Sequence, residues 1–218
     1  MDSKERTPFV VKAITYFANI IILNLLFLLC SLPIVTYGAA YSALFTMTRE
    51  LNSGETVVVK GYFRAFREQF RQSTMSWAVM FFPGLFLYAQ AALLQQVNMD
   101  VPDMLYVCLL IPAIVYCGVL PWTLIQSSYF SCTLKQNMKN AVLLAVQLLP
   151  QTIILAAAQV LPAILFLFRI VDFLRMWPLW FFVYFAAVHA VAEYLLKLPM
   201  SSLVNSLRED HSKNEGDV

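Results

Sequence analysis

The side chains best placed to do chemistry are His189, Glu193 and Lys197, each one helical turn from the next in an otherwise apolar stretch. An imidazole and a carboxylate on one face of a membrane helix can form a proton relay or a solute site. The same spacing also suits a plain ion pair of Glu193 with Lys197 near the helix end, with His189 hydrogen-bonded inside a bundle. Asn24, Gln90, Gln126, Gln147 and Gln159 add polar groups in or near apolar runs, where each needs a partner. Hydrogen bonds between helices are one solution, and a lined solute path is the other. The apolar runs hold no GxSxG, HExxH or phosphate-loop pattern and no paired carboxylates. The chain is therefore read as something other than an enzyme, with no cofactor and no metal site.

The elements that must carry these residues are membrane helices. The 218 residues are 60% hydrophobic and only 13% charged, whereas soluble domains average roughly 45 to 50% apolar and about 25% charged. Lipid is the solvent such a composition calls for. A net charge of +2, spread in short patches between apolar runs, argues against a nucleic-acid partner. The four cysteines, Cys30, Cys108, Cys117 and Cys132, lack the paired short spacings of metal or redox sites and read as buried free thiols.

The expected fold is an all-α polytopic bundle of about six membrane segments. A first uncharged run, Ala13 to Leu32, is broken by LPIVTYGAAYSALF, in which Pro33 and Gly38 interrupt the helix pattern. This stretch is read as the bend of a hairpin: Pro33 restricts the chain before the turn, Gly38 supplies unusual dihedrals, and Thr36 caps the returning helix. The returning limb, Gly38 to Leu51, is short, so it either just crosses or is a re-entrant half-helix. Four further spans follow: Thr74 to Val97 with Pro83, Met104 to Cys132 bent or partly unwound at Pro112, Gly118 and Pro121, Gln151 to Phe168, and Leu179 to Leu198.

Two basic amphipathic helices separate these spans. In KGYFRAFREQFRQS, Phe63, Phe66 and Phe70 share one face while Arg64, Arg67 and Arg71 repeat the spacing alongside. Lys135 and Lys139 flank a similar apolar face in TLKQNMKNAVLLAVQLLP. Both are read as lying on a membrane surface, either anchored on anionic lipid or docking a cytoplasmic partner. With the hairpin in place, all but Arg169 and Arg175 of the fifteen Lys and Arg fall on one side. The positive-inside rule makes that side, with both termini, cytoplasmic. Residues 1–207 form one membrane domain, and 208–218 are expected to be a disordered polar cytoplasmic tail.

Several of these residues also resemble a family. Asn24, Leu32-Pro33-Ile34-Val35-Thr36-Tyr37-Gly38, Ala43-Leu44, Tyr62-Phe63-Arg64-Ala65-Phe66-Arg67 and Phe70 resemble the YesL-type membrane proteins of Gram-positive bacteria. Asn140-Ala141 and Leu148-Leu149-Pro150-Gln151-Thr152 are similar to that family's second basic helix and following span. Ala39 stands where many members carry Pro. The resemblance implies an integral protein of the bacterial plasma membrane encoded beside carbohydrate ABC importers. The function expected from it is an accessory subunit or stabiliser of such an importer, with permease subunits or their ATPase as partners besides the lipid bilayer. The alternative is a stand-alone small-solute carrier with a path lined by Asn24, Gln126, His189 and Glu193.

Overall fold

The computed structural model describes residues 9–54, 58–96, 103–130, 133–168 and 170–197, and the described residues are helical with short connections. Residues 97–102, Cys132 and the expected C-terminal tail lie outside the described residues. Helix α1 spans Phe9–Ser31 and ends at Leu32 and Pro33, after which a 3-10 turn, Ile34–Thr36, leads directly into α2, Tyr37–Asn52. Tyr16 of α1 donates to Asn52 Oδ1 at 2.8 Å, and Phe27 meets Tyr37 edge-on with ring centroids 5.9 Å apart. The two helices therefore run antiparallel, and the bend expected at LPIVTYG is there.

The devices that make the bend differ from those expected. Pro33 holds an extended conformation with φ −75° and ψ 122°. Thr36 makes no side-chain cap to α2. Its hydroxyl turns back to the end of α1, 2.6 Å from Cys30 O in the last turn of that helix, and lies 2.9 Å from Pro33 O, which the Thr36 amide also meets at 3.0 Å. Gly38 sits inside the helix, and among the described residues the glycine with positive φ is Gly54, at 95°, which closes the turn after α2. Gly38 serves close approach instead: a Cβ there would stand 2.5 Å from Ser73 O and 2.6 Å from Trp77 Cβ.

Helix α3 runs unbroken from Val58–Gln96, 39 residues, or about 58 Å at ~1.5 Å per residue. The basic helix and the span expected after it are thus one element, because no glycine or proline separates Gly61 from Pro83. Its inward stripe is also displaced from the apolar one. Tyr62, Ala65, Ser73, Ser76 and Met80 are buried, while Phe63 and Phe70 are exposed and Phe66 is half-buried. Along the span, where lipid is the solvent, small and polar residues such as Ser73 and Ser76 let helices meet, and large apolar side chains lose nothing by facing outward.

Helix α4, Asp103–Ile125, continues through Pro112 and Pro121 without the expected unwinding and ends in a 3-10 turn, Gln126–Ser128. It lies against the second half of α3, where Tyr116 packs over Gly84. Next, α5 (Leu134–Gln147) and α6 (Leu149–Phe168) meet at an angle of 106° around Leu148. Gln136 Oε1 accepts from the Thr133 amide at 3.2 Å and from its hydroxyl at 2.8 Å, which fixes the start of α5. After the short α7, Ile170–Arg175, the last helix occupies 177–197 and carries a π turn at Trp180–Tyr184.

Helix α2 is the centre of this bundle. All of its residues from Gly38 to Thr48 are buried, enclosed by α1, α3, α4 and the turn that follows α4. Among the described residues, α1, α3 and α4 are long and apolar enough to cross a membrane, or four spans exist if the bent α5 and α6 pair counts as one. The second and sixth expected segments fall on α2, which is interior and 16 residues long, and on the last helix with its π turn. Lipid-type surface is plain on α3 and α4, where Phe82, Phe86, Leu105, Ile111 and Ile114 are exposed. Cys108 is exposed too, contrary to the expectation of a buried thiol, and Cys30 and Cys117 are free and half-buried.

Candidate functional site

The four polar residues expected inside the membrane are brought to three separate places. Asn24 projects from α1 to the last helix, where its Oδ1 accepts from the Ala186 amide at 2.9 Å. A π turn shifts the local hydrogen-bond pattern, and Ala186 lies just beyond that turn. Asn24 thereby satisfies a backbone donor on a neighbouring helix.

Gln126 belongs to a second group, at the junction of α3, α4 and α5. Asn137 Nδ2 donates to Ser76 Oγ at 2.8 Å and to Thr123 O at 2.9 Å, and Gln126 Nε2 lies 3.5 Å from Asn137 O. All four residues are buried. Beside them, Ser73 donates to Ser42 at 2.9 Å, and Ser42 donates to Leu124 O at 2.7 Å. Tyr62 closes the other end of the α2 and α3 interface, donating to Ala40 O at 3.2 Å.

His189 and Glu193 are one turn apart, yet they serve different neighbours. His189 Nδ1 is 2.7 Å from Phe185 O, which as an acceptor places the ring proton on Nδ1. Its ring packs edge-on to Tyr41 at 4.3 Å between centroids, with Phe45 and Phe27 beyond. Glu193 is buried and accepts from Tyr129 Oη at 2.8 Å. Arg49 stacks over the Tyr129 ring at 4.5 Å and donates to Ser128 O at 3.1 Å. Burial, then the adjoining Glu193, holds the Tyr129 phenol above its ordinary range. Tyr129 is the partner the structure gives Glu193, in the place that the spacing offered to Lys197.

The basic surface is exposed. Arg64, Arg67 and Arg71 on α3 and Lys135 and Lys139 on α5 all face outward. Leu134, which opens α5, shares a surface cleft with Glu68, Arg71, Gln72 and Met75 of α3, so the two basic segments adjoin. Arg64 and Glu50 pair at 3.7 Å, but Arg64 is 62% exposed and the pair is worth little. Of the remaining amides, Gln159 donates to Tyr41 Oη at 2.8 Å, whereas Gln90 and Gln147 are exposed.

The residues alone mark Ser42, with Gly38, Ala39 and Ala43, as a small-residue surface for a neighbouring helix, and the structure places it at one. Ser73, Asn137, Tyr41 and Tyr129 are not singled out by sequence reasoning. Ser42 and Ser73 have a readable signal, since a serine within an apolar helix marks a helix contact. Tyr41 and Tyr129 have none, because an aromatic in a membrane segment is ordinary. Among the described residues no three His, Cys, Asp or Glu side chains gather in a way that would hold a metal ion.

These features define a multi-pass helical membrane protein whose polar interior joins helix to helix. A family model described as "Protein of unknown function, DUF624" matches residues 20–91, from the middle of α1 through the hairpin and most of α3. Over this stretch the chain is similar to the domain that YesL-type proteins carry. No curated protein and no solved structure matches the chain.

Proposed function

We propose that this chain is an accessory subunit or stabiliser of a carbohydrate ABC importer in the bacterial plasma membrane, with both termini on the cytoplasmic side. The sugar connection rests on the resemblance to YesL-type proteins. The observation that carries the accessory role is the continuity of α3. Its uncharged stretch from Gln72 to Gln96 is about 37 Å long, enough for a ~30 Å hydrocarbon core by itself. The preceding segment, with Arg64, Arg67 and Arg71 exposed, then extends beyond the core as a basic arm braced along one side by α2. Exposed Phe63 and Phe70 stand beside those arginines. Aromatic and arginine side chains on a rigid ridge are suited to a protein partner.

A stand-alone carrier calls for one connected polar path. Asn24, Gln126, His189 and Glu193 are instead divided among separate helix contacts, which favours the accessory reading.

Purification of the tagged protein in mild detergent is expected to recover permease subunits, and Arg64→Glu with Arg67→Glu is expected to lose them while the chain still folds. A deletion strain should take up the sugar more slowly. Recovery of the chain alone, together with unchanged uptake in the deletion strain, would refute the proposal.

A further inference from the structure

The geometry points to a small-molecule site between α2, α6 and the last helix, built for a neutral ring-sized alcohol or phenol that arrives from the lipid phase. This goes beyond the importer reading and does not depend on it. A cavity of about 180 Å³ lies there, with Tyr37, Tyr41, Gln159, Tyr184 and His189 among its lining residues. A dry apolar cavity of roughly 150 Å³ already accepts benzene, so one six-membered ring is the right size of guest.

Two groups on the wall set its chemistry. His189 is only 4% exposed, and its Nε2 has no hydrogen-bond partner among the described residues. His189 lines the cavity, and because its Nδ1 is tied to Phe185 O on its own helix, Nε2 is the ring nitrogen left as an acceptor. Across the ring contact, Tyr41 Oη accepts from Gln159 Nε2 at 2.8 Å, which leaves the Tyr41 hydrogen to donate. One hydroxyl in the cavity can donate to His189 Nε2 and accept from Tyr41 together. An unmet buried acceptor is costly, so a guest that supplies the missing donor is favoured over a plain hydrocarbon.

The rest of the wall limits the guest. Tyr184 already donates to Ala158 O at 2.7 Å, and Leu120, Leu155, Phe185 and Val188 are apolar. A sugar would bury several hydroxyls against a mostly apolar wall, and each unmet hydroxyl is costly. The route in is also apolar. The groove between α6 and the last helix shares Leu155, Ala158, Val188 and Ala192 with the cavity and is rimmed by exposed Ile154 and Val191.

The test uses the full chain in detergent or nanodiscs, with 4-fluorophenol and fluorobenzene as probes followed by fluorine NMR. The wild type is expected to bind both saturably, the phenol about fivefold more tightly, as one good hydrogen bond provides. His189→Leu should abolish that preference while keeping fluorobenzene binding, and Ala158→Leu should block both probes. Equal affinity of the two probes for the wild type would overturn the proposal. So would an absence of saturable binding, which would mean that water alone occupies the cavity. The wild-type comparison decides the matter even if a variant fails to fold.

Discussion

Ser73 of α3 donates to Ser42 of α2 at 2.9 Å, and Ser42 passes the chain on to Leu124 O of α4 at 2.7 Å. Both serines are fully buried, so three helices are joined at one point by groups that have no water to fall back on. Ser42→Ala should therefore destabilise the protein by about 1 to 3 kcal/mol, because it leaves a carbonyl and a hydroxyl unpaired. Ser73→Ala should cost less, and the double variant should show coupling of about 0.6 kcal/mol. Thermal unfolding of the four proteins in one detergent gives each value.

Gly38 and Gly54 make opposite demands on a side chain, and the same substitution tells them apart. At Gly38 the obstacle is the backbone of Ser73, which cannot rotate away. Gly38→Ala should lose about 1 to 3 kcal/mol through overpacking of α2 on α3. Gly54 has open space around its Cα but a φ of 95°. Gly54→Ala should cost about 1 kcal/mol through backbone strain alone. Thermal unfolding of the two variants in one detergent gives both values.

Tyr129 holds Glu193 through its hydroxyl and carries Arg49 on its ring, so the two functions can be separated. Tyr129→Phe keeps the stacking surface and removes the donor to a buried carboxylate. The expected loss is about 1.5 to 3 kcal/mol. Adding Glu193→Gln should recover part of it, since the amide bears no charge to leave unpaired. Unfolding temperatures of the single and double variants measure this.

The class of protein, the hairpin, the start of α4 and the extent of α6 were legible in the residues, because uncharged runs in lipid and a proline-centred break are governed by local rules, whereas the end of α4 at Ile125 falls short of the expected Cys132. The path of α3 was not. Its Phe63, Phe66 and Phe70 stripe reads as a separate helix on the membrane surface, whereas the segment is continuous with the span and has Tyr62, Ala65, Ser73 and Ser76 as its buried side. Ser73 and Ser76 join α3 to its neighbours along the span, where lipid is the solvent, and in the basic arm Tyr62 does so through Ala40 O. The pairing of Glu193 with Tyr129 was equally hidden, since it joins residues 64 apart in sequence through a turn that spacing does not place. His189 stood out as a chemical group, but its open Nε2 depends on the Tyr41 packing across helices.

The hairpin brings the open end of α1 and α2 to the same side as the basic arm of α3. Replacing the native Cys30, Cys108, Cys117 and Cys132 and introducing Ser53→Cys, Lys135→Cys or Thr36→Cys one at a time allows labelling with a membrane-impermeant maleimide. Ser53→Cys and Lys135→Cys are expected to react in inside-out vesicles and to stay unlabelled in intact cells. Labelling of Ser53→Cys from outside intact cells, with Thr36→Cys inaccessible from that side, would contradict the hairpin and the cytoplasmic arm built on it.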